Sequence, residues 1–203
     1  MKRIALAASV AALGLVGPAS AVELLTNPGF EDPDGAGPAG LGDGWGAFGA
    51  AGFNDFFGPN GHASLFPDNV GNSGGIFQTG IAGTPGVEYE FVLADTRIEA
   101  NYDADVQFGL EFYAGDDSTQ VGASLVSLPD PGVEVNGGVF SHTAIAPAGT
   151  GFVRPVALFF DVFSSGGQRN VFVFEASLTE VPEPMSAALL APALVLVARR
   201  RRA

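Results

Sequence analysis

The sequence predicts an all-β protein whose central part folds as an antiparallel β-sandwich. Two segments, residues 87–93 and 106–113, alternate apolar and polar side chains with a period of two. The 203-residue chain also contains 29 glycines and 14 prolines, which disfavour helix interiors and are common in turns. No helical periodicity occurs outside the two ends of the chain. We therefore expect a single domain of short strands joined by tight turns.

The predicted strands follow one another at intervals typical of an antiparallel sandwich. They are residues 22–26, 45–48, 62–66, 75–79, 81–82, 87–93, 106–113, 120–128, 139–145, 152–163 and 170–178. Alternation along these strands predicts a core built from Phe77, Phe91, Leu93, Phe108, Leu110, Phe112, Leu158, Phe160, Phe172 and Phe174. A slip of one residue in any strand would place the opposite side chains in the core.

The first 21 residues have the organisation of a secretory signal peptide. Basic residues at 2–3 are followed by an apolar stretch at 4–16. Ala19 and Ala21 occupy the two small positions of a cleavage site, so we predict that the exported protein begins at Val22. The apolar stretch is shorter than the roughly 20 residues of a membrane span, which argues against an uncleaved anchor.

The charge of the chain is acidic and concentrated in its central part. The whole chain has 22 acidic residues against nine Lys and Arg, a net charge of −13. Between residues 22 and 180 there are 21 acids, three arginines and no lysine, a net charge of −18. Such a surface repels phosphate backbones, so we expect no nucleic-acid partner. It suits either cation binding or simple solubility outside the cell.

The chain contains no cysteine. Exported proteins often use disulfides, so this domain must be stabilised by a packed core or by a bound metal. About 160 residues suffice for one domain with a sizeable core. The sequence shows neither an internal repeat nor a second domain.

The last 23 residues combine a Val-Pro-Glu-Pro box, an apolar run at 185–198 and four arginines. The run is shorter than a stable helical span of about 20 residues, and Pro192 interrupts it. An apolar stretch closed by a basic cluster is typical of a membrane stop. The box consists of Val181, Pro182, Glu183 and Pro184. The arginine cluster consists of Arg199, Arg200, Arg201 and Arg202.

This tail resembles the PEP-CTERM sorting signal of exported bacterial proteins, which has a box, a short hydrophobic helix and an arginine cluster in the same order. The resemblance covers about a tenth of the chain. It implies transient membrane insertion, cleavage at or near the box by an exosortase-type membrane protease, and release to the cell surface or extracellular matrix. The family occurs in Gram-negative bacteria that make exopolysaccharide. An ordinary short C-terminal anchor is the alternative.

A second resemblance concerns the body of the chain. Asn-Pro-Gly-Phe-Glu at 27–31 with Gly-Trp at 44–45, the stretch 75–89, and Phe-Glu-Ala-Ser-Leu at 174–178 are similar to jelly-roll carbohydrate-binding modules of the galactose-binding-like kind. The resemblance implies a jelly-roll sandwich that binds sugar. It also implies a structural calcium where the first and last strands meet, with Glu31 and Glu175 as ligands. Calcium prefers carboxylate and carbonyl oxygens.

Sugar binding requires an aromatic face beside polar groups that hold hydroxyls. Trp45 and Tyr102 are the candidates: Tyr102 stands between an asparagine and an aspartate on a predicted loop. Packing at a strand end is the alternative for Trp45. The phenylalanines of residues 49–61 either form a binding platform or cover one end of the core.

The motifs that suggest catalysis are each incomplete. Gly-Asn-Ser-Gly-Gly at 71–75 fits G-x-S-x-G, but a strand and not a helix is predicted after Ser73. His62 and His142 lie 80 residues apart without metal-ligand spacing. No single pair among the many carboxylates stands out for glycoside hydrolysis. We therefore predict no catalytic residues.

These features predict an exported, non-enzymatic surface or matrix protein that associates with extracellular polysaccharide through its sandwich. A purely structural surface or biofilm component is the alternative, and an exported hydrolase is a more distant one. An exposed aromatic ring that stands beside Asn or Asp and lines a groove would distinguish the first from the second. A hydrolase would need convergent carboxylates in a cleft.

Overall fold

The structure is a computed structural model and describes residues 21–30, 44–49, 51–54, 62–65, 73–99, 105–128, 133–160 and 170–182. Residues Val22–Val181 form one compact unit. The described strands are β1 (Trp45–Gly49), β2 (Ala51–Asn54), β3 (His62–Leu65), β4 (Gly74–Gln78), β5 (Ile81–Ala82), β6 (Glu88–Ile98), β7 (Asp105–Tyr113), β8 (Gln120–Ser127), β9 (Val135–Ile145), β10 (Phe152–Phe160) and β11 (Val171–Glu180).

The strands pair antiparallel and form two sheets. Sheet 1 has the order β1-β4-β10-β7-β8, and the short β5 pairs with one end of β10. Sheet 2 has the order β2-β3-β11-β6-β9. From β9 onward the chain alternates between the sheets, because β9 and β11 belong to sheet 2 and β10 to sheet 1. The predicted all-β sandwich is confirmed, and this crossing is typical of a jelly roll.

The core lies between the two sheets and draws side chains from both. Burying a large apolar side chain stabilises the fold by about 2 kcal/mol relative to leaving it exposed. The largest fully buried side chains are Trp45, Tyr89, Phe30, Phe91, Phe112, Phe159, Leu65, Ile76, Leu93, Ile98 and Leu110. All of them belong to Val22–Val181, a compact unit with a hydrophobic core of its own, and such a unit can fold alone.

Polar contacts fasten the segment before β1 to the sheets. The buried Gln78 binds Thr26 twice: its Oε1 accepts from Thr26 N at 2.7 Å, and its Nε2 donates to Thr26 O at 2.8 Å. A buried amide with both ends satisfied fixes the segment without a strand ladder. Gln78, which lies in the stretch 75–89 that resembles carbohydrate-binding modules, is thus a structural residue.

One predicted strand is not formed, one strand was not predicted, and β6 and β9 are longer than predicted. Residues 22–26 form one isolated bridge, between Glu23 and Thr179, instead of a strand. β2 lies inside residues 49–61, which showed no strand pattern because Ala-Gly-Phe-Asn has too few apolar residues to alternate visibly. The side chains of Phe53, Phe56 and Phe57 lie outside the described part of the structure.

The predicted core is wrong by one residue in three strands. Ile76 in β4, Phe159 in β10 and Val173 in β11 belong to the core cluster. The predicted residues Phe77, Leu158, Phe160, Phe172 and Phe174 stand outside that cluster, although Leu158 and Phe172 are buried. These strands carry apolar residues on both faces, so alternation does not reveal the inner face. The other five predicted core residues are buried as expected: Phe91, Leu93, Phe108, Leu110 and Phe112.

The predicted signal peptide and sorting segment lie outside the described residues, apart from Ala21, Val181 and Pro182. Val181 N donates to Glu88 O at 2.8 Å, so sheet pairing extends to the first residue of the box. In the part of the chain that the structure describes, no helix has the length and hydrophobicity needed to cross a membrane.

Candidate functional site

The outer face of sheet 1 presents aromatic and polar side chains next to one another. Alternation with the core residues places one set of side chains of β1, β4, β7 and β10 on this face. We call these residues the platform: Phe48, Phe77, Gln107, Glu111, Tyr113, Arg154 and Phe160.

Two glycines make room for the phenylalanine rings of the platform. Gly46 pairs with Phe77, and Gly75 pairs with Phe48, across β1 and β4. A Cβ atom at Gly46 would lie 2.7 Å from Phe77 Cζ, and one at Gly75 would lie 2.6 Å from Leu158 Cδ2 and 3.1 Å from Phe48 Cε1. Each ring therefore covers a glycine of the neighbouring strand. Phe48 stays 44% exposed, which leaves aromatic surface available to a ligand.

Arg154 joins the aromatic and polar parts of the platform. Its guanidinium carbon lies 3.9 Å from the ring centroid of Tyr113 and 5.6 Å from that of Phe77. Its terminal nitrogens lie 3.9 Å from Glu111 Oε2 and 3.6 Å from Asp117 Oδ1. The arginine side chain is only 19% exposed, so these contacts hold it in place between the two rings.

Tyr113 and Glu111 form a fixed pair beside Arg154. The Tyr113 hydroxyl donates to Glu111 Oε2 at 2.8 Å. Burial of the phenol raises the pKa of Tyr113 to about 12, and the hydrogen bond to Glu111 adds to this rise. Tyr113 is therefore a neutral hydrogen-bond donor at physiological pH and is not suited to act as a base.

The turn between β7 and β8 places Asp117 in contact with Arg154. Asp116 accepts hydrogen bonds from Thr119 N at 2.9 Å, Ser118 N at 3.0 Å and Thr119 Oγ1 at 2.7 Å. These bonds, the one from Thr119 N above all, hold the pKa of the Asp116 carboxyl well below its usual range. The turn is thus fixed by its first aspartate, and the second faces the arginine.

A row of polar side chains, Asp105, Gln107 and Ser127, borders the aromatic rings. Asp105 stands opposite Phe160, which is 38% exposed. Asp105 accepts from Gln107 Nε2 at 2.8 Å and from Ser127 Oγ at 3.2 Å. An exposed aromatic ring therefore lies beside an aspartate on the outer face of sheet 1.

The platform is long enough for a chain of several sugar units. Phe48, Gly75, Leu158 and Gln107 lie in one row across four strands. Three inter-strand spacings of about 4.8 Å separate the first from the last, or roughly 14 Å. This length suits an oligosaccharide lying across the strands better than a single sugar ring.

The structure places Trp45 in the core and not on the surface. It is 1% exposed, its ring lies 4.8 Å from that of Phe30, and its Nε1 donates to Asn27 O at 3.0 Å. The prediction of Trp45 as a ligand-binding residue is therefore wrong, because no face of the ring is accessible. Packing at a strand end, the alternative, is confirmed. Tyr102 lies outside the described residues.

The two predicted calcium ligands are described only in part. Glu175 is exposed on β11, and Glu31 lies outside the described residues. Ala176 N donates to Pro28 O at 2.8 Å, so the segment leading to Glu31 runs beside Glu175. Among the described side chains, no group of three or more His, Asp and Glu residues could hold a metal. One carboxylate with nearby carbonyls falls short of the roughly six to eight oxygens of a calcium site, so this site stays a prediction.

The structure gives no support to a serine nucleophile. Ser73 is followed directly by β4, whereas a nucleophile elbow requires a helix after the serine. Ser124 Oγ and His142 Nε2 do lie 2.8 Å apart, and the His142 ring packs edge-on against Phe108. This contact links the edge strands β8 and β9 of the two sheets.

The platform contains residues that the sequence analysis missed. A Gly-x-Phe triplet occurs in β1 at 46–48 and again in β4 at 75–77. The repeated triplet was a visible signal. Its meaning depends on pairing between strands almost 30 residues apart, which the sequence does not show.

No protein-family model and no curated protein matches this sequence. Solved structures match with low identity. The enzymatically active domain of tailspike protein 4 of bacteriophage CBA120 has a TM-score of 0.54 and 13% identity; the match covers 79% of this chain but only 22% of that one. The Stig cyclase Fisc from Fischerella has a TM-score of 0.52 and 15% identity over 81% of this chain and 100% of the cyclase.

A carbohydrate-binding module has the same fold. The family 16 carbohydrate-binding module-2 matches with a TM-score of 0.51 and 15% identity over 76% of this chain and 98% of the module. The body thus has a fold used by carbohydrate-binding modules, as the sequence resemblance implied. The same fold occurs in enzymes, so it assigns no activity by itself.

Proposed function

We propose that this protein is an exported, non-enzymatic protein of the cell surface or extracellular matrix that binds uncharged polysaccharide on the platform. The observation that carries the proposal is the juxtaposition of exposed rings, Phe48 and Phe160, with the polar row that contains Gln107. Aromatic faces stack on the apolar faces of sugar rings, and fixed polar side chains bind the hydroxyls.

The charges of the platform favour an uncharged ligand. Arg154 is the cation among the platform residues, and Glu111 and Asp117 already neutralise it. Asp105 and the net charge of −18 over residues 22–180 repel uronic-acid or sulfated glycans. Neutral polysaccharides face no such repulsion.

The shared fold of family 16 carbohydrate-binding module-2 supports the proposal by analogy. We propose calcium as a stabilising ion near Glu31 and Glu175, on the family resemblance alone. The test is the melting temperature of Val22–Val181 with and without calcium, because an ion that binds the folded state raises it. A rise that Glu175→Ala abolishes would support the site, and equal melting temperatures would exclude it.

The proposed export and surface localisation of the protein are inferred from its N-terminal and C-terminal segments. We propose cleavage before Val22 and processing by an exosortase-type protease at the box that begins with Val181. Glu23 and Val181 both contact the sheet, and both would remain in the chain after the two cleavages. The mass of the protein secreted by its native host tests this: a chain retaining Arg199–Arg202 would contradict C-terminal processing.

A binding titration of Val22–Val181 tests the platform. We expect saturable binding of a neutral polysaccharide, and Phe48→Ala should weaken it at least about 10-fold, or about 1.4 kcal/mol. The matched control is Val133→Ala, which truncates an exposed apolar residue that lies outside both the platform and β9. The site would be contradicted if both variants bound like the parent, or if both lost binding equally.

A purely structural role is the second candidate, and the edge strand β9 of sheet 2 favours it. β9 is a long strand without a charged side chain. The two roles are compatible, and separate measurements distinguish them.

A further inference from the structure

We propose that two copies of this protein associate through β9, the edge strand of sheet 2. One side of β9 pairs with β6, and no described strand pairs with its other side, which is an edge of the sheet. A free strand edge presents backbone N–H and C=O groups that another strand can bind.

The described edge strands differ in length and protection. β1 and β2, on one side of the sandwich, have five and four residues. β8 and β9, on the other side, have eight and eleven. Long edges are usually protected by lysine, proline or inward-pointing charge, and β9 has no lysine, proline or acid. Its histidine is bound to Ser124.

The charge distribution identifies a second copy as the partner. Residues 118–153 contain two acids, Asp130 and Glu134, of the 21 in residues 22–180, and no lysine or arginine. Glu134 is paired with Arg97 at 2.8 Å. Two such acidic molecules repel each other over most of their surfaces, so they approach with least repulsion where each presents β8 and β9.

The side chains of β9 are complementary to themselves. Val139 and Ile145 are 68% and 65% exposed. An antiparallel pair of β9 strands centred on His142 would place Val139 of each copy opposite Ile145 of the other, and Ser141 opposite Thr143. β-Branched cross-strand pairs of this kind stabilise antiparallel sheets. The contact is closed by a two-fold axis, so it forms a dimer and not a fibre.

The dimer would have a consequence that rests on the proposed function. The two-fold axis of an antiparallel strand pair is perpendicular to the sheet, so both platforms would lie on the same side of the joined sheets. Two sites on one side can bind one polysaccharide chain or link two chains, with an apparent affinity above that of either site.

Sedimentation of Val22–Val181 without any glycan tests the association, so its failure is distinguishable from failure of sugar binding. We expect a reversible monomer–dimer equilibrium that strengthens with salt, because salt screens the acidic surfaces, including Glu88 and Glu90 beside β9. Val139→Lys should weaken dimerisation at least about 10-fold by placing a charge on the edge.

Val22→Lys is the matched control, because Val22 is also 68% exposed and lies outside β9. It should leave the dimer unchanged. Ile145→Lys is a second edge variant in case Val139→Lys melts at a lower temperature than the parent. A monomer at millimolar concentration in low and high salt would overturn the proposal. So would a dimer that both edge variants leave intact.

Discussion

The two outer faces of the sandwich expose different kinds of apolar surface. On sheet 1 the exposed large apolar residues of the described strands are aromatic, Phe48 and Phe160, and they border a polar row. On sheet 2 they are aliphatic, Val139 and Ile145, and they lie on a free edge. Rings beside polar groups suit a sugar, whereas β-branched side chains on an edge suit another strand. One sandwich thus separates ligand recognition from self-association.

Among the substitutions considered, replacing Arg154 should have the largest effect on stability and on glycan binding. Arg154→Met leaves Glu111 and Asp117 close together without a cation, so we expect unfolding to become easier by about 2 kcal/mol and glycan binding to weaken more than about 10-fold. Chemical denaturation and a binding titration measure the two effects.

The matched control is Arg97→Met on sheet 2. Arg97 contacts Glu134 at 2.8 Å in a more exposed ion pair, and its loss should cost less than about 1 kcal/mol without changing glycan binding. Equal losses in the two variants would show that Arg154 has no special role.

Gly75→Ala should reduce stability and glycan binding less than Arg154→Met does, because Gly75 lies beneath the Phe48 ring of the platform. The new methyl group would lie 2.6 Å from Leu158 Cδ2 and 2.7 Å from the backbone oxygen of Ala157, and it would press on Phe48, so we expect about 1–2 kcal/mol of destabilisation and about 5-fold weaker glycan binding. Gly115→Ala is the control, since nothing lies within 4 Å of a Cβ atom there. Unaltered binding by Gly75→Ala would show that the position of Phe48 does not matter.

Alkaline pH should destabilise the fold through Tyr113 on sheet 1. Because the folded state raises the pKa of Tyr113 from about 10 to about 12, the protonated phenol is favoured in the fold. Its contribution is complete below pH 10 and is lost as the pH rises towards 12. Unfolding free energies across this range should fall more steeply in the parent than in Tyr113→Phe. Parallel curves would contradict the environment assigned to Tyr113.

The sequence revealed the fold class where strands are half-buried. β6 and β7 alternate clearly because one face meets the core and the other meets polar surroundings. β10 could not be oriented in this way, since Val156 and Leu158 on its outer face are also buried. Apolar residues on both faces conceal the alternation, and those on the outer face support the platform.

The candidate site was harder to predict because it is assembled by pairing. Trp45 was chosen for its residue type, but its ring fills the core next to Phe30. The residues that do share a face, Phe48 and Gln107, are almost 60 positions apart and meet only through the register of β4 and β10. Register is set by the whole sandwich and cannot be obtained from one strand at a time.

Mapping a bound neutral oligosaccharide onto Val22–Val181 by NMR chemical shifts would test the central claim most directly. We expect saturable shifts to concentrate in β1, β4, β7 and β10, with the amides of Phe48, Phe77 and Gln107 among the most affected. Saturable shifts confined to sheet 2, or no saturable shift with any neutral oligosaccharide tested, would contradict binding on the platform.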